Sequence, residues 1–242
     1  VAEARECEAL VLSQTPRGKD LIVRVLTQTG EPWVLIARSA ARPGGPLPVR
    51  LSPPVVGGLR FVESRGGARL LIGFEPHRRF PGLASSLTRA LTADALLSLL
   101  TALPQGVELG GKLFRLAVEL LEGLSGGGLH PAQALARLIW HLLDEMGRTA
   151  ADPAGARMLI VDLHDGRIFA PSPDYREEGL YPFLEGEPVR ELARALAGRP
   201  PHSPAALCEA LELIIPAVEA ALDRELPGLT LALERICQSE EG

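Results

Sequence analysis

Cysteine is scarce. The chain has three, Cys7, Cys208 and Cys237, an odd number, far apart, with no C-x-x-C pair. That excludes a disulfide framework and a cysteine-based zinc site. It also makes a reducing cytoplasm the expected home, with each cysteine read as a small buried apolar side chain. No apolar run approaches the 18 or so residues that a membrane span needs. Val1 to Leu10 mixes charged and small residues, so neither a signal peptide nor a membrane partner is expected. Lysine is nearly absent, at positions 19 and 112 only. The basic residues are therefore almost all arginine, whose planar fork suits phosphate oxygens. Aromatic residues make up 4% of the chain. The first third holds only Trp33, Phe61, Phe74 and Phe80, so stacking on flat rings should be minor there.

What is present is enough for a core. Of 242 residues, 46% are hydrophobic and the mean hydropathy is +0.14, which excludes wholesale disorder. Glycine and proline total 46, high but short of low complexity. The length suits two small domains. The net charge of −5 hides an asymmetry: residues 1–80 carry twelve basic and seven acidic side chains, and residues 81–242 carry thirteen and twenty-three. A basic first third would attract a polyanion, and an acidic body would limit where it can lie.

The first 80 residues read as β-structure. Runs at 8–13, 20–27, 33–37, 55–63 and 68–75 are separated by turn signals at Pro16–Lys19, Gln28–Pro32, Pro43–Pro48 and Ser64–Gly67. Five short strands in this span predict a small barrel of the OB type, although periodicity does not separate it from an SH3-like barrel. The rest is mainly helical, with apolar spacing predicting helices over 83–103, 109–124, 131–146 and 188–197. A long last one is expected from Ser203 or Pro204 to about Glu225, kinked at Pro216 and broken at Pro227-Gly228. A hairpin at 158–170, turning at Asp165-Gly166, interrupts this half. The expected class is α+β: an OB-type barrel over 1–80, then a helical domain over 81–242 with a hairpin insertion in 148–187.

Catalytic motifs fail on context. Gly106–Leu113 spells GxxxxGK, but Leu113 stands where a Mg²⁺-holding hydroxyl is required and a helix precedes it where a strand should. Gly123–Gly127 spells GxSxG around Ser125, again after a helix, so it reads as a helix C-terminus. None of the five histidines pairs with another His or Cys at ligand spacing. His141 with Asp144 and Glu145 reads as a polar helix face. His164 with Asp162 and Asp165 reads as turn chemistry. No carboxylate pair recommends itself for acid–base work. No catalytic residue, metal site or cofactor is expected, and binding is the default function.

Four segments carry a family pattern: Ala9-Leu10-Val11-Leu12, Gly18-Lys19-Asp20-Leu21, Leu26-Thr27 with Gly30, and the basic segment Ala37-Arg38-Ser39-Ala40-Ala41-Arg42-Pro43. Through them the first half resembles the RecO family, bacterial recombination mediators of the RecFOR pathway. The order barrel, helical bundle, small insertion, closing helix (here Leu211–Leu233) is similar as well. Two departures stand out. Where many members carry a four-cysteine zinc ribbon, residues 148–187 contain no cysteine, so zinc is not expected. The basic segment is also thinner, with Ser39, Ala41 and Gly44-Gly45 where glycine or further cations are common. The resemblance implies DNA repair and recombination at the nucleoid: binding single- and double-stranded DNA, annealing complementary strands, and working with RecR to load RecA onto strands coated by single-strand binding protein.

The residues expected to meet DNA are Arg17, Lys19, Arg24, Arg38 and Arg42 through phosphates, with Trp33 as a stacking candidate or a half-buried hairpin residue. Arg60, Arg65, Arg69, Arg78 and Arg79 either widen the basic face or keep strand edges soluble. The alternative function is a protein-interaction adaptor whose barrel is structural and binds DNA weakly or not at all.

Overall fold

The computed structural model describes residues 3–41, 50–64, 66–107, 109–171 and 181–240. Arg42, Arg65 and the Pro43–Pro48 turn signal lie outside them. The chain divides into two compact units, Val1–Pro81 with Leu97–Glu122, and Gly82–Leu96 with Gly123–Gly242. The helical stretch 97–122 thus joins the barrel's unit, a grouping that the composition boundary near residue 80 does not suggest.

The first unit is built on a closed five-stranded barrel. Its strands are β1 (Arg5–Arg17), β2 (Asp20–Thr27), β3 (Pro32–Ala37), β4 (Val55–Glu63) and β5 (Arg69–Arg79), in the order β1-β2-β3-β5-β4 with β4 returning to β1. All pairs are antiparallel except β3 with β5. Closure depends on β1, which has thirteen residues. Its first half pairs with β4, its second half with β2, and Ala9–Val11 pair with both. A register shift between Val11 and Ser13 bends the strand between its two partners, as bulges do.

Alternation fills the interior. Val11, Val23, Val25, Leu35, Leu59 and Phe61 belong to one buried cluster, with Leu51 closing it. At outward positions Leu10, Leu26 and Val56 are cross-strand neighbours and are buried too. The helical stretch of this unit approaches the turn between β2 and β3, where Gly30 meets the Gly110 backbone and Gly111 the Gln28 carbonyl.

The helices are α1 (Leu87–Ala102), α2 (Gly110–Gly126), α3 (Pro131–Glu145), α4 (Glu187–Leu196), α5 (Pro204–Leu222) and α6 (Pro227–Glu240). In the second unit α5 is central and packs on α3, α4 and α6. Ser203 caps α5 by accepting the Ala206 N–H, and Pro204 occupies its first turn. Alongside lies a four-stranded sheet, β6 (Thr149–Ala150), β7 (Met158–Asp162), β8 (Arg167–Phe169) and β9 (Phe183–Glu185), in the order β6-β8-β7-β9.

Three expectations need correction. The hairpin expected in 148–187 is the middle of this larger sheet; two- and three-residue edge strands carry too little pattern to be read in sequence. The first helix begins at Leu87, because Pro81–Ser85 forms a 3₁₀ turn closed by the Ser85 hydroxyl donating to the Gly82 carbonyl. The break expected at Pro227-Gly228 falls at 223–226, and Pro227 opens α6, since a first-turn residue needs no N–H partner. Among the described residues no helix is long and apolar enough to cross a membrane.

Candidate functional site

Two short segments meet at one end of the barrel. β1 turns into β2 through Gly18-Lys19, with Arg17 and Asp20 as the last paired residues. Gly18 has φ +62, a sign that tight hairpin loops require and that glycine adopts without steric cost. β3 ends beside the start of β2, with Leu21 opposite Ala37, which brings Arg38 next to Asp20. Two hydrogen bonds pin the chain after β3 to this turn. The Ser39 N–H donates to Asp20 Oδ1 at 2.8 Å, and the Ala41 N–H donates to the Lys19 carbonyl at 3.0 Å. Ser39 itself takes φ +54, strained for a non-glycine residue and held there by these bonds.

This rim gathers Arg17, Lys19 and Arg38, all exposed. Among the described residues none of the three has a carboxylate partner. The neighbouring carboxylate, Asp20, is engaged by the Ser39 N–H. Arg42 is one residue beyond the pinned Ala41 in sequence and lies outside the described residues.

The other arginines of the barrel are engaged differently. Arg5 pairs with Glu63 at 3.3 Å, Arg60 with Glu6 at 2.9 Å, Arg69 with Glu63 at 3.7 Å and Arg78 with Glu122 at 2.8 Å. Arg79 donates to the Arg50 carbonyl. Exposed pairs of this kind add little stability, but they cancel charge locally. Arg24 is also apart from the rim: its guanidinium donates to the Thr101 carbonyl at 3.2 Å, at the negative end of α1.

Trp33 faces inward, opposite Val25, and packs on the barrel core. Its indole N–H donates to Glu31 at 3.0 Å. Phe61 meets it edge-on at 5.2 Å between centroids, and the Arg69 guanidinium lies 4.3 Å from its ring centre. Of the two roles open to Trp33, these contacts match the half-buried hairpin residue. The outer face beside the rim is instead aliphatic. Ile22 and Ile36 are cross-strand partners, Leu70 flanks Ile36, and all three are half-buried. Sequence reading passed over these residues; the signal was their outward place in the alternation of β2 and β3.

The other sequence candidates have structural roles. The Ser125 hydroxyl accepts the Gly82 N–H at 3.0 Å. Asp162 Oδ1 accepts the N–H groups of His164 and Asp165 at 2.9 and 3.3 Å, the turn chemistry expected there. His141 lies 3.9 Å from Glu145 on α3. Among the described residues no group of three or more His, Cys, Asp or Glu side chains could hold a metal ion. A depression of about 920 Å³ on the outer face of β1, β4 and β5 carries both signs of charge, including the Arg60–Glu6 pair. Within its lining, burial pushes the Cys7 thiol up to about 11, against an opposing effect of Arg69, which keeps the thiolate scarce near neutral pH.

A scan against protein-family models finds no match, and no curated protein matches the chain.

Proposed function

We propose that this chain is a non-enzymatic nucleic-acid-binding protein that grips a strand by its phosphates at the rim formed by Arg17, Lys19 and Arg38. The observation that carries the reading is the sorting of the barrel's cations. Arg5, Arg60, Arg69 and Arg78 pair with glutamates, Arg5 and Arg69 sharing Glu63, while three cations stand together on a pinned rim without a carboxylate partner. Arginine forks and a lysine there can replace condensed counterions on a phosphate chain.

The strand order β1-β2-β3-β5-β4, with β3 and β5 the parallel pair, supports an OB-type barrel. In such barrels the β2–β3 face and the loop between β1 and β2 bind oligonucleotides, and the rim is built from that loop. Bases of a bound strand would lie against Ile22 and Ile36, with little reading of sequence. This extends to the role that the resemblance to RecO implies: binding single- and double-stranded DNA, annealing, and cooperation with RecR and single-strand binding protein in loading RecA at the nucleoid.

The test is Arg17→Glu with Arg38→Glu in the full chain, titrated with a labelled single-stranded oligonucleotide. The log–log salt slope of strand binding at the rim should lose about 1.4, at roughly 0.7 per phosphate, and affinity at low salt should fall at least tenfold. An unchanged slope and affinity would overturn the reading. If the unmutated protein gives no complex at low salt, the nucleic-acid reading falls, as a pure protein-interaction adaptor would require.

A further inference from the structure

A second group of cations lies in the other unit, on α4 and the turn that follows it. Arg190 and Arg194 are one helical turn apart on α4, so they share a face. Arg199 and His202 come from the turn beyond. Together they line a groove of about 510 Å³ whose floor is made of small apolar residues, among them Pro153, Ala193 and Ala197. Arg190 and Arg199 are exposed and Arg194 is half-buried. Among the described residues none of the three arginines has a carboxylate partner.

Buried polar side chains hold this arrangement in place. Gln133, 2% exposed, donates to the carbonyls of Arg199 and Ala195 at 3.0 and 3.5 Å. Arg194 Nε donates to the Pro200 carbonyl. Glu191 also lines the groove, but it is buried and accepts the His202 N–H at 2.8 Å. The turn from 195 to 202 is therefore tied at both ends, and Arg199 is presented from a fixed backbone. Fixing donors in advance lowers the cost of binding.

We infer that this groove is a second phosphate-chain contact, which binds a short strand independently of the barrel rim. The inference rests on the nucleic-acid reading above and adds a site to it. The lining decides the class of ligand. Guanidinium forks recognise phosphate oxygens through paired hydrogen bonds. The alanine and proline floor offers no large aliphatic or aromatic side chain against which a peptide's anchor residue could pack, and peptide partners draw most of their affinity from such anchors. A chain held by its backbone alone needs only the forks and a smooth floor. Arg194 already donates to Pro200, which leaves Arg190 and Arg199 as the freely presented forks, so the groove should bind more weakly than the rim. Two separate strand contacts on one chain are what bringing two strands together requires.

The experiment is a two-phase titration of the full chain with a short labelled oligothymidylate at about 50 mM salt, where phosphate contacts are strong. Wild type should show a tight and a weak phase, with two oligonucleotides bound at saturation. Arg190→Gln with Arg199→Gln should weaken the weak phase on the order of tenfold or more and leave the tight phase unchanged. Arg17→Glu with Arg38→Glu should do the converse. Both groove side chains are exposed, so the melting temperature should not move; if it does, Arg199→Gln alone is used and a smaller loss in the weak phase is expected. A weak phase that is absent from wild type, or untouched by the groove substitutions, overturns the inference and leaves the rim reading standing. A tight phase untouched by the rim substitutions sinks the rim reading and not this one. If the groove substitutions spare both oligonucleotide phases but abolish binding of a labelled oligo-aspartate, the groove serves an acidic protein segment and the inference is overturned.

Discussion

Single residues set how closely the chain can approach itself. Gly30 has φ +85, and a Cβ there would collide with the Gly110 carbonyl. Gly30→Ala should therefore cost about 3 kcal/mol through strain and a lost close approach, a fall of roughly 6–12 °C in melting temperature for a chain of this size. Gly18 shares the positive φ but meets nothing within 4 Å. Gly18→Ala should cost only the left-handed backbone penalty, about 1–2 kcal/mol, and a calorimetric comparison of the two variants separates collision from strain. Cys7 gives a pH prediction. With its thiol pushed from 9.0 to about 11, the thiolate fraction at pH 9 is about fifty-fold below that of an ordinary thiol. Alkylation of native protein at that pH should be slower at Cys7 by about this factor than in denaturant, as read by mass spectrometry. The linkage has a sign. Unfolded chain loses the proton near pH 9 while the native thiol keeps it, so Cys7 contributes a loss of stability as pH rises from about 9 to 11. Equal alkylation rates in the two states would show that the thiol is not suppressed.

At the scale of elements, the β1–β2 turn and the end of β3 act as one piece because Asp20 and Lys19 hold residues 39–41. This yields a prediction opposite to simple charge counting. Asp20→Ala removes a negative charge from a cationic rim, yet it also frees the Ser39 N–H and the strained Ser39 backbone. Strand affinity should fall severalfold. Asp20→Asn keeps an acceptor and removes the charge, so it should bind at least as tightly as wild type. If both variants gain affinity alike, the pinning has no role in presenting Arg38. The strands themselves were legible in sequence, since β2 and β4 have the bounds that alternation and turn residues suggested. That Arg17 and Lys19 share a turn was legible too. The partner of Arg24 was not, because Thr101 is 77 residues away and belongs to a helix whose packing no local pattern encodes. Nor was the sorting of arginines: Arg60 finds Glu6 only through the register of β4 on β1, which depends on closure. The α4 groove was missed for a related reason. Its arginines look like an ordinary polar helix face until the turn beyond folds back to add Arg199 and His202.

For the whole molecule, the net charge of −5 predicts repulsion from a polyanion, so strand binding has to be local. The number of phosphates engaged then follows from the cations gathered at the rim, not from the twelve basic residues of the first third. The five contacts expected from Arg17, Lys19, Arg24, Arg38 and Arg42 would give a slope near −3.5. The three described cations of the rim give about −2, at roughly 0.7 per phosphate on single strands. Affinity at the tight site should therefore drop about 20-fold between 50 and 200 mM salt, and by the same factor for oligonucleotides of different sequence, since contacts to phosphates carry no sequence information and Ile22 and Ile36 offer no hydrogen-bonding groups. Each further cation recruited steepens the slope by about 0.7. A value near −3 would mean one further cation at the phosphates, Arg42 or Arg24, which Arg42→Ala and Arg24→Ala separate. A value beyond −4 would mean that arginines such as Arg60 and Arg78 leave their glutamates on binding. In that case Glu6→Gln and Glu122→Gln, which free those arginines beforehand, should strengthen binding; with a slope near −2 they should leave it unchanged. The slope and the two glutamate variants together thus decide whether the ion pairs on the barrel remain closed when a strand is bound.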